Sequence, residues 1–142
     1  MSCDIRIARI SDEPLDLAAH VRAVSEPATG AVTTFLGQVR DHDPDAESGV
    51  IALEYSAHPD AEQALRAIAE RAAAGTGAIV AVSHRVGRLE VGDAAVAIAV
   101  GSAHRAESFD VCRAVIEEIK KDLPVWKRQT DVDGRAAWKG IG

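Results

Sequence analysis

Two long apolar segments, separated only by a short polar stretch, constrain the fold of this chain more than any other feature. They run from Ile79 to Val86 and from Ala94 to Ala103, and the segment GRLEVGD joins them. Continuous apolar runs bounded by turn residues are typical of buried strands, and the glycines and Asp93 of the joining segment supply the turns. The sequence therefore predicts a strand–turn–strand unit at these positions.

Three further segments carry apolar residues at 3- and 4-residue spacing, which is typical of amphipathic helices packed on a core. A serine or aspartate can cap the first of them, and a proline prevents the third from continuing. These helices are expected from a cap at Ser11 or Asp12 to Pro27, from Pro59 to about Ala74, and from Ala106 to Lys121.

Additional strands are expected at Ile5–Ile7, Gly30–Val39 and Val50–Ser56, and a short hairpin with an Asp-Gly turn at Val125–Trp138. The segment from Gly30 to Val39 is interpreted as a buried strand that pairs with the strand from Val50 to Ser56. The predicted order is β-α-β-β-α-β-β-α-β. It favours a single α+β domain over residues 1–142, with antiparallel pairs rather than a uniformly parallel sheet.

The net negative charge of the chain disfavours two classes of partner. It has 16 Lys and Arg residues against 22 Asp and Glu residues, a net charge of −6. Nucleic acids and anionic membranes are held largely by summed positive charge, so neither is an expected partner. The spacing of the two cysteines and five histidines fits neither a paired-cysteine motif nor a metal site. We expect a cytoplasmic protein without an export signal, a membrane span, a metal or another resident cofactor.

One short segment reverses this negative charge locally. The stretch from Lys120 to Arg128, KKDLPVWKR, contains four cations and one anion. Lys120 lies at the end of a predicted helix and Lys127 follows the break at Pro124, so a chain reversal can bring both ammonium groups to one concavity. The alternative is that the lysines complement the helix dipole and that Lys127 and Arg128 are solvated strand residues.

Two other strand ends are candidates for anion binding. His104 and Arg105 follow an apolar strand at the start of a helix, where free backbone N–H groups attract phosphate or carboxylate. Gln38, Val39 and Arg40 end a strand before a polar loop. The alternative for His104 is a helix cap, and the alternative for both arginines is exposure to solvent.

Other polar side chains in apolar surroundings favour a structural interpretation. Cys112 shares the predicted helix face of Phe109 and Ile119, where burial raises a thiol pKa and opposes nucleophilic chemistry. Tyr55 and His84 lie within predicted strands, where hydrogen bonds can hold a polar side chain in the core.

Four segments together resemble the large, catalytic subunit of molybdopterin synthase. They are GAVTTFLGQVRDHD, LEYSAHPDA, SHRVGRLEVGDAAVAIAVGSAHRAESFD and KKDLPVWKRQ, and they cover the chain from about Gly30 to Trp138 in order. The resemblance implies an α/β-hammerhead-type fold with mixed or antiparallel sheets and amphipathic helices. It also implies a homodimer that binds two copies of a small ubiquitin-like sulfur carrier.

The same resemblance implies an activity and a set of site residues. The family transfers sulfur from the C-terminal Gly-Gly thiocarboxylate of the carrier to cyclic pyranopterin monophosphate and forms the dithiolene of molybdopterin. Lys120 and Lys127 resemble the catalytic lysines. These two and seven other positions resemble substrate contacts, namely Gln38, Val39, Arg40, His104, Arg105, Arg128 and Gln129. A non-catalytic homologue that only binds the carrier is the alternative.

Overall fold

The computed structural model describes residues 4–41, 49–131, 133–134 and 136–141. Within these ranges the chain forms eight strands and three helices. In chain order they are β1 (Asp4–Ser11), α1 (Leu17–Val24), β2 (Ala31–Gln38), β3 (Val50–Ala57), α2 (Ala61–Ala73), β4 (Ile79–Arg85), β5 (Gly87–Glu90), β6 (Ala94–Ser102), α3 (Arg105–Asp122), β7 (Val125–Asp131) and β8 (Ala136–Gly140).

The strands form two four-stranded sheets. The first has the order β1-β4-β6-β2 and the second the order β5-β3-β7-β8. Only β1 and β4 pair in parallel among these strands, and the other five pairs are antiparallel. The expected α+β class with mixed and antiparallel sheets is confirmed.

The first sheet is buried on both faces, which explains why β4 and β6 are almost wholly apolar. Helix α1 covers one face, where Val24 packs against Ile79, Ala81 and Ala99. The main core fills the other face, between the first sheet, the helices α2 and α3 and the second sheet. Side chains alternate along β4, so Ile79 and Ala81 face α1 whereas Val80 and Val82 lie in the main core.

Helix α1 begins later than the sequence predicts. Strand β1 continues to Ser11, and Asp16 caps the helix by accepting a hydrogen bond from the Ala19 N–H at 3.1 Å. Neither Ser11 nor Asp12 is the cap. The reason is that β1 extends its parallel pairing with β4 as far as the Ser11–Arg85 pair, which holds these residues in extended conformation.

Two predictions about strands are wrong. Strands β2 and β3 do not pair: β2 is the edge of the first sheet beside β6, with an alternating rather than a buried pattern, and β3 lies in the second sheet. The segment between β4 and β6 is also more than a turn, because Gly87–Glu90 forms β5 and pairs with β3. In both cases the pairing depends on contacts distant in sequence, which override local patterns.

The remaining elements follow their sequence patterns closely. The predicted helices at α2 and α3 and the hairpin of β7 and β8 are confirmed. Phe109 is an exception, because its side chain is 59% exposed although it was assigned to the core face of α3. None of the described helices is long and apolar enough to cross a membrane.

Candidate active site

A small polar cavity lies where the C-terminal end of α3 meets β3, β7 and the end of β2. Its volume is about 280 Å³. Cations and amides dominate the lining, which consists of Gln38, Val39, Arg40, Leu53, Tyr55, Lys120, Lys127 and Gln129. Six of the nine site residues that the resemblance implies therefore meet in one place.

The chain reversal after α3 brings the two lysines together. Helix α3 ends at Asp122, and the buried side chains of Leu123 and Val125 anchor the reversal on either side of Pro124. Side chains alternate along a strand, so Lys127 projects to the same face of β7 as Val125. Lys120, in the last turn of α3, lines the cavity beside it.

The two ammonium groups affect each other electrostatically. Although much of the Lys120 side chain contacts solvent, the surrounding protein desolvates its ammonium group, and this desolvation together with the charge of Lys127 lowers the pKa of Lys120. A lysine with a lowered pKa gives up its proton more readily near neutral pH. Lys120 is therefore suited to proton transfer or nucleophilic chemistry.

The end of β2 is fixed by the turn that precedes β6. The Val39 N–H donates to the Asp93 carbonyl at 2.9 Å, and the Gly92 N–H donates to the Val39 carbonyl at 2.7 Å. The β2–β6 register shifts between Gly37 and Gln38. These contacts hold the backbone next to Arg40 in place, and Arg40 lines the cavity.

Tyr55 forms the wall of the cavity, although the sequence analysis gave it only a structural interpretation. It is opposite Lys127 in the β3–β7 ladder. Its ring meets the ring of His84 edge to face, with centroids 5.1 Å apart. Burial raises the pKa of Tyr55 to about 12, so the phenol keeps its proton at physiological pH. The sequence held no signal for this pair, because its members belong to different sheets.

His104 and Arg105 do not reach this cavity within one chain. His104 occupies the N-cap position of α3 without a side-chain capping hydrogen bond, and Arg105 is the exposed first residue of the helix. Arg105 and Lys120 are fifteen residues apart on one helix, which corresponds to about 22 Å. The two ends of α3 thus present separate cationic groups.

Arg128 lies on the opposite face of the second sheet from Lys127. It pairs with Glu54 across the ladder at 2.9 Å, and its guanidinium lies 5.2 Å from the centre of the Trp138 ring. Successive residues of a strand point to opposite faces, which explains why Lys127 and Gln129 line the cavity and Arg128 does not.

Cys112 is a core residue, as the sequence predicts. It is 4% exposed, and burial raises its pKa to about 11, so the thiolate is not populated near neutral pH. Cys3 lies outside the described residues. Among the residues that the structure does describe, no group of His, Cys, Asp and Glu side chains is arranged to hold a metal ion.

Comparison with known proteins finds one family to which this chain is similar. A family model described as MoaE protein matches residues 10–122. The chain is 41% identical over 134 residues to molybdopterin synthase catalytic subunit 1 of Mycobacterium tuberculosis, covering 93% of this chain and 89% of that protein.

Solved structures agree with the sequence comparison. Molybdopterin synthase from Staphylococcus aureus is similar with a TM-score of 0.83 and 33% identity, covering 97% of this chain and 96% of that one. A chain from the complex of subunits 1 and 2 of the Helicobacter pylori molybdopterin-converting factor shares the fold. Its TM-score is 0.70 at 19% identity, and the match covers 94% of this chain and 88% of that chain.

Proposed function

The chain belongs to the MoaE protein family, and from this we propose that it is the catalytic subunit of a molybdopterin synthase. The reaction moves sulfur from the C-terminal thiocarboxylate of a small ubiquitin-like carrier to cyclic pyranopterin monophosphate and forms a dithiolene. The pairing of Lys120 with Lys127 in one cavity is the observation that carries the proposal.

The charges of the cavity suit the two reactants. A cyclic phosphate and a thiocarboxylate are both anions, and fixed cations offset their mutual repulsion. Arg40 is assigned to the phosphate, because a guanidinium donates two parallel hydrogen bonds to phosphate oxygens. Gln38, Gln129 and the Val39 backbone supply neutral polar contacts around it.

The lysines are assigned to the proton transfers. Opening the cyclic phosphate and expelling a ring oxygen both require a proton to move. Lys120, whose pKa is lowered by desolvation and by Lys127, gives up its proton more readily than an ordinary lysine and is assigned to these transfers. The charge of Lys127, which contributes to this lowering, is assigned to stabilising negative charge as it develops on the substrate.

The sulfur is assigned to the carrier and not to this chain. Cys112 is buried in the main core and is absent from the cavity lining. The extended Gly-Gly end of a carrier can enter a small cavity, because glycine has no side chain and takes up little space. We place the reaction in the cytoplasm, where a free thiol such as Cys112 stays reduced.

A homodimer provides a route for His104 and Arg105 to reach the cavity. Strand β2 is the edge of the first sheet and exposes Val32 and Leu36. If β2 pairs antiparallel with β2 of a second copy about a central two-fold axis, opposite ends of the strands become neighbours.

That pairing has a consequence for the site. Ala31 pairs with Ser102 at the end of β6, just before the start of α3. The partner's Arg105 then approaches Gln38 and Arg40 at the far end of β2. Phe109 is also exposed, on the helix α3 that packs beside β2. We assign the partner's Arg105 and the partner's His104 to the substrate phosphate.

Reconstitution tests the proposed function. The purified chain is mixed with thiocarboxylated carrier and cyclic pyranopterin monophosphate, and dithiolene product is measured. We expect product in proportion to the thiocarboxylate supplied, and none with carrier that ends in an ordinary carboxylate. Binding of the carrier without product would support the non-catalytic alternative and contradict the proposal.

A further inference from the structure

Arg128 is held from two sides on the face of the second sheet that points away from the cavity. Its guanidinium pairs with Glu54 of β3 at 2.9 Å and lies 5.2 Å from the centre of the Trp138 ring on β8. Both partners are its direct neighbours in the sheet, because Arg128 is opposite Glu54 in one ladder and opposite Trp138 in the other. One side chain of β7 therefore connects three adjacent strands.

The two contacts of Arg128 reinforce each other. The side chains of Arg128 and Glu54 are 43% and 41% exposed, and an ion pair with that much exposure fixes its partners weakly, because water competes for both. The Trp138 ring adds a cation–π attraction on a second side of the guanidinium, and Nε of Arg128 is buried. Together the two contacts hold the guanidinium more firmly than either does alone.

The neighbouring residue on β7 is Lys127, which lines the cavity on the other face of the sheet. Its direct neighbours in the two ladders are Tyr55 on β3 and Lys139 on β8. Residues directly opposite each other in an antiparallel ladder share one face, and like charges at such positions are destabilising. The pairing of β7 with β8 therefore carries two lysines of like charge on the cavity face and an attractive Arg128–Trp138 contact on the opposite face.

We propose that Arg128 is a positioning residue for Lys127: through Glu54 and Trp138 it fixes β7 between β3 and β8, and it thereby holds the neighbouring lysine in the cavity. The inference rests on the proposed function where it gives Lys127 a part in catalysis. It assigns Arg128 no contact with the substrate, in contrast to what the family resemblance implies for this position.

A contact on the far face of a sheet can affect the reaction because catalysis depends steeply on geometry. A displacement of about 1 Å at a reacting group can cost about 100-fold in rate. Arg128 and Lys127 share a peptide bond, so a shift of β7 that follows loss of the Glu54 contact moves the lysine as well. The effect falls on the chemical step and not on the affinity for the substrate, since Arg128 does not line the cavity.

Matched substitutions separate a positioning role from a substrate contact. Arg128→Met keeps a long side chain beside Trp138 but removes the charge, and Glu54→Gln removes the partner charge with little change in shape. A double variant carries both changes. Arg88→Met is the control, because Arg88 is an exposed arginine opposite Glu54 on its other side, in β5.

The first measurement is steady-state kinetics of the reconstituted system. We expect kcat to fall about 10- to 100-fold in Arg128→Met and in Glu54→Gln, with KM for the pterin substrate unchanged. The double variant should be no slower than Arg128→Met, because both changes remove the same pair. Arg88→Met should keep the wild-type kcat. If Arg128 instead contacted the phosphate, Arg128→Met would raise KM, and it would do so with or without Glu54→Gln.

The second measurement reports the position of Lys127 without catalysis. Desolvation and the charge of Lys127 lower the pKa of Lys120, so movement of Lys127 away from the cavity should raise the pH at which Lys120 becomes reactive. Each full-length protein is labelled briefly with acetic anhydride across a pH series, and the acetylation of Lys120 is followed by mass spectrometry. Lys127→Met gives the rise for complete loss of that charge. Arg128→Met and Glu54→Gln should show part of this rise, and Arg88→Met none.

The two measurements fail in different ways. Because the labelling needs no catalysis, an inactive wild-type protein would count against the proposed function alone. The inference is overturned if Lys120 titrates in Arg128→Met and Glu54→Gln as it does in wild type, or if Lys127→Met leaves that titration unchanged. It is also overturned if kcat stays at the wild-type level in Arg128→Met, if KM rises there, or if Arg88→Met reproduces the loss.

Discussion

Each charged side chain at the cavity depends on its immediate neighbours. Lys120 and Lys121 are adjacent on α3, yet only Lys120 lines the cavity. Desolvation and the charge of Lys127 lower the pKa of Lys120. The difference arises from the direction in which the helix presents each residue, since consecutive residues on a helix point about 100° apart.

Arg40→Ala is expected to raise KM for the pterin substrate by about 10- to 100-fold, with a much smaller effect on kcat. Its assigned partner, the phosphate, is present in both the ground state and the transition state, so the lost interaction is uniform. Steady-state kinetics with Arg66→Ala, an exposed arginine of α2, as the control would measure this. A fall in kcat at unchanged KM would place the phosphate elsewhere.

Cys112→Ala is expected to destabilise the protein by about 1 kcal/mol, because it leaves a small cavity in the main core. Single-turnover sulfur transfer from the thiocarboxylated carrier should stay close to the wild-type rate. Urea denaturation and a rapid-quench assay measure the two quantities. A folded Cys112→Ala protein that transfers no sulfur would mean that the thiol takes part in the reaction.

His84 is expected to make stability depend on pH. Its pKa falls from 6.5 in the unfolded chain to about 4 in the native state, so the unfolded chain binds the proton first as the pH is lowered. The stabilisation is complete above pH 6.5 and is lost between pH 6.5 and about 4, a change of about 3 kcal/mol.

Urea denaturation of wild type and His84→Leu at pH 7 and pH 5 measures this dependence. The difference in unfolding free energy between the two pH values should shrink in the variant. An equal pH dependence in both proteins would show that His84 does not remain neutral in the native state.

At the scale of elements, α3 organises the site. Its C-terminal end supplies Lys120 to one cavity, and its N-terminal end carries His104 and Arg105 about 22 Å away. A helix of this length cannot bring both ends to one substrate. The proposed two-fold dimer across β2 would bring the N-terminal end of α3 of one copy towards the cavity of the other.

Mixing two defective variants tests this arrangement. Lys127→Ala and Arg105→Ala proteins are unfolded together, refolded and assayed. If Arg105 acts across the dimer interface, one of the two sites in each mixed dimer has both side chains intact, and activity should rise above that of either parent. If Arg105 acts on the cavity of its own chain, no mixed site is complete and activity should not recover.

The elements also show how far sequence alone determines this fold. Helices α2 and α3 and the hairpin of β7 and β8 have strong local signals. The meeting of Lys120 with Lys127 was one of two interpretations that a helix end, a proline and a strand left open, and the family resemblance favoured it. The four-residue strand β5 and the pairing partners of β3 were not predicted from the sequence, because both depend on long-range pairing. The contact between Tyr55 and His84 was not predicted either, because it joins residues that are distant in sequence.

At the scale of the whole molecule, the fold combines a well-packed core with a polar cavity at its edge. The doubly covered first sheet and the main core hold α3 and the second sheet in a fixed relation. The site lies at their common edge, where a strand end and a helix end meet. An acidic chain thereby concentrates cations at one point, which favours small anionic reactants over nucleic acids.

The central claim is that the paired lysines supply the proton transfer and charge stabilisation that sulfur transfer requires, and the most direct measurement is the rate of dithiolene formation in lysine variants. Lys127→Ala and Lys120→Ala are compared with Lys121→Ala, the neighbouring lysine outside the cavity, with folding checked by circular dichroism. We predict rates about 100- to 1,000-fold below wild type for the first two and a wild-type rate for Lys121→Ala. Near-normal turnover in folded Lys127→Ala or Lys120→Ala would contradict the account.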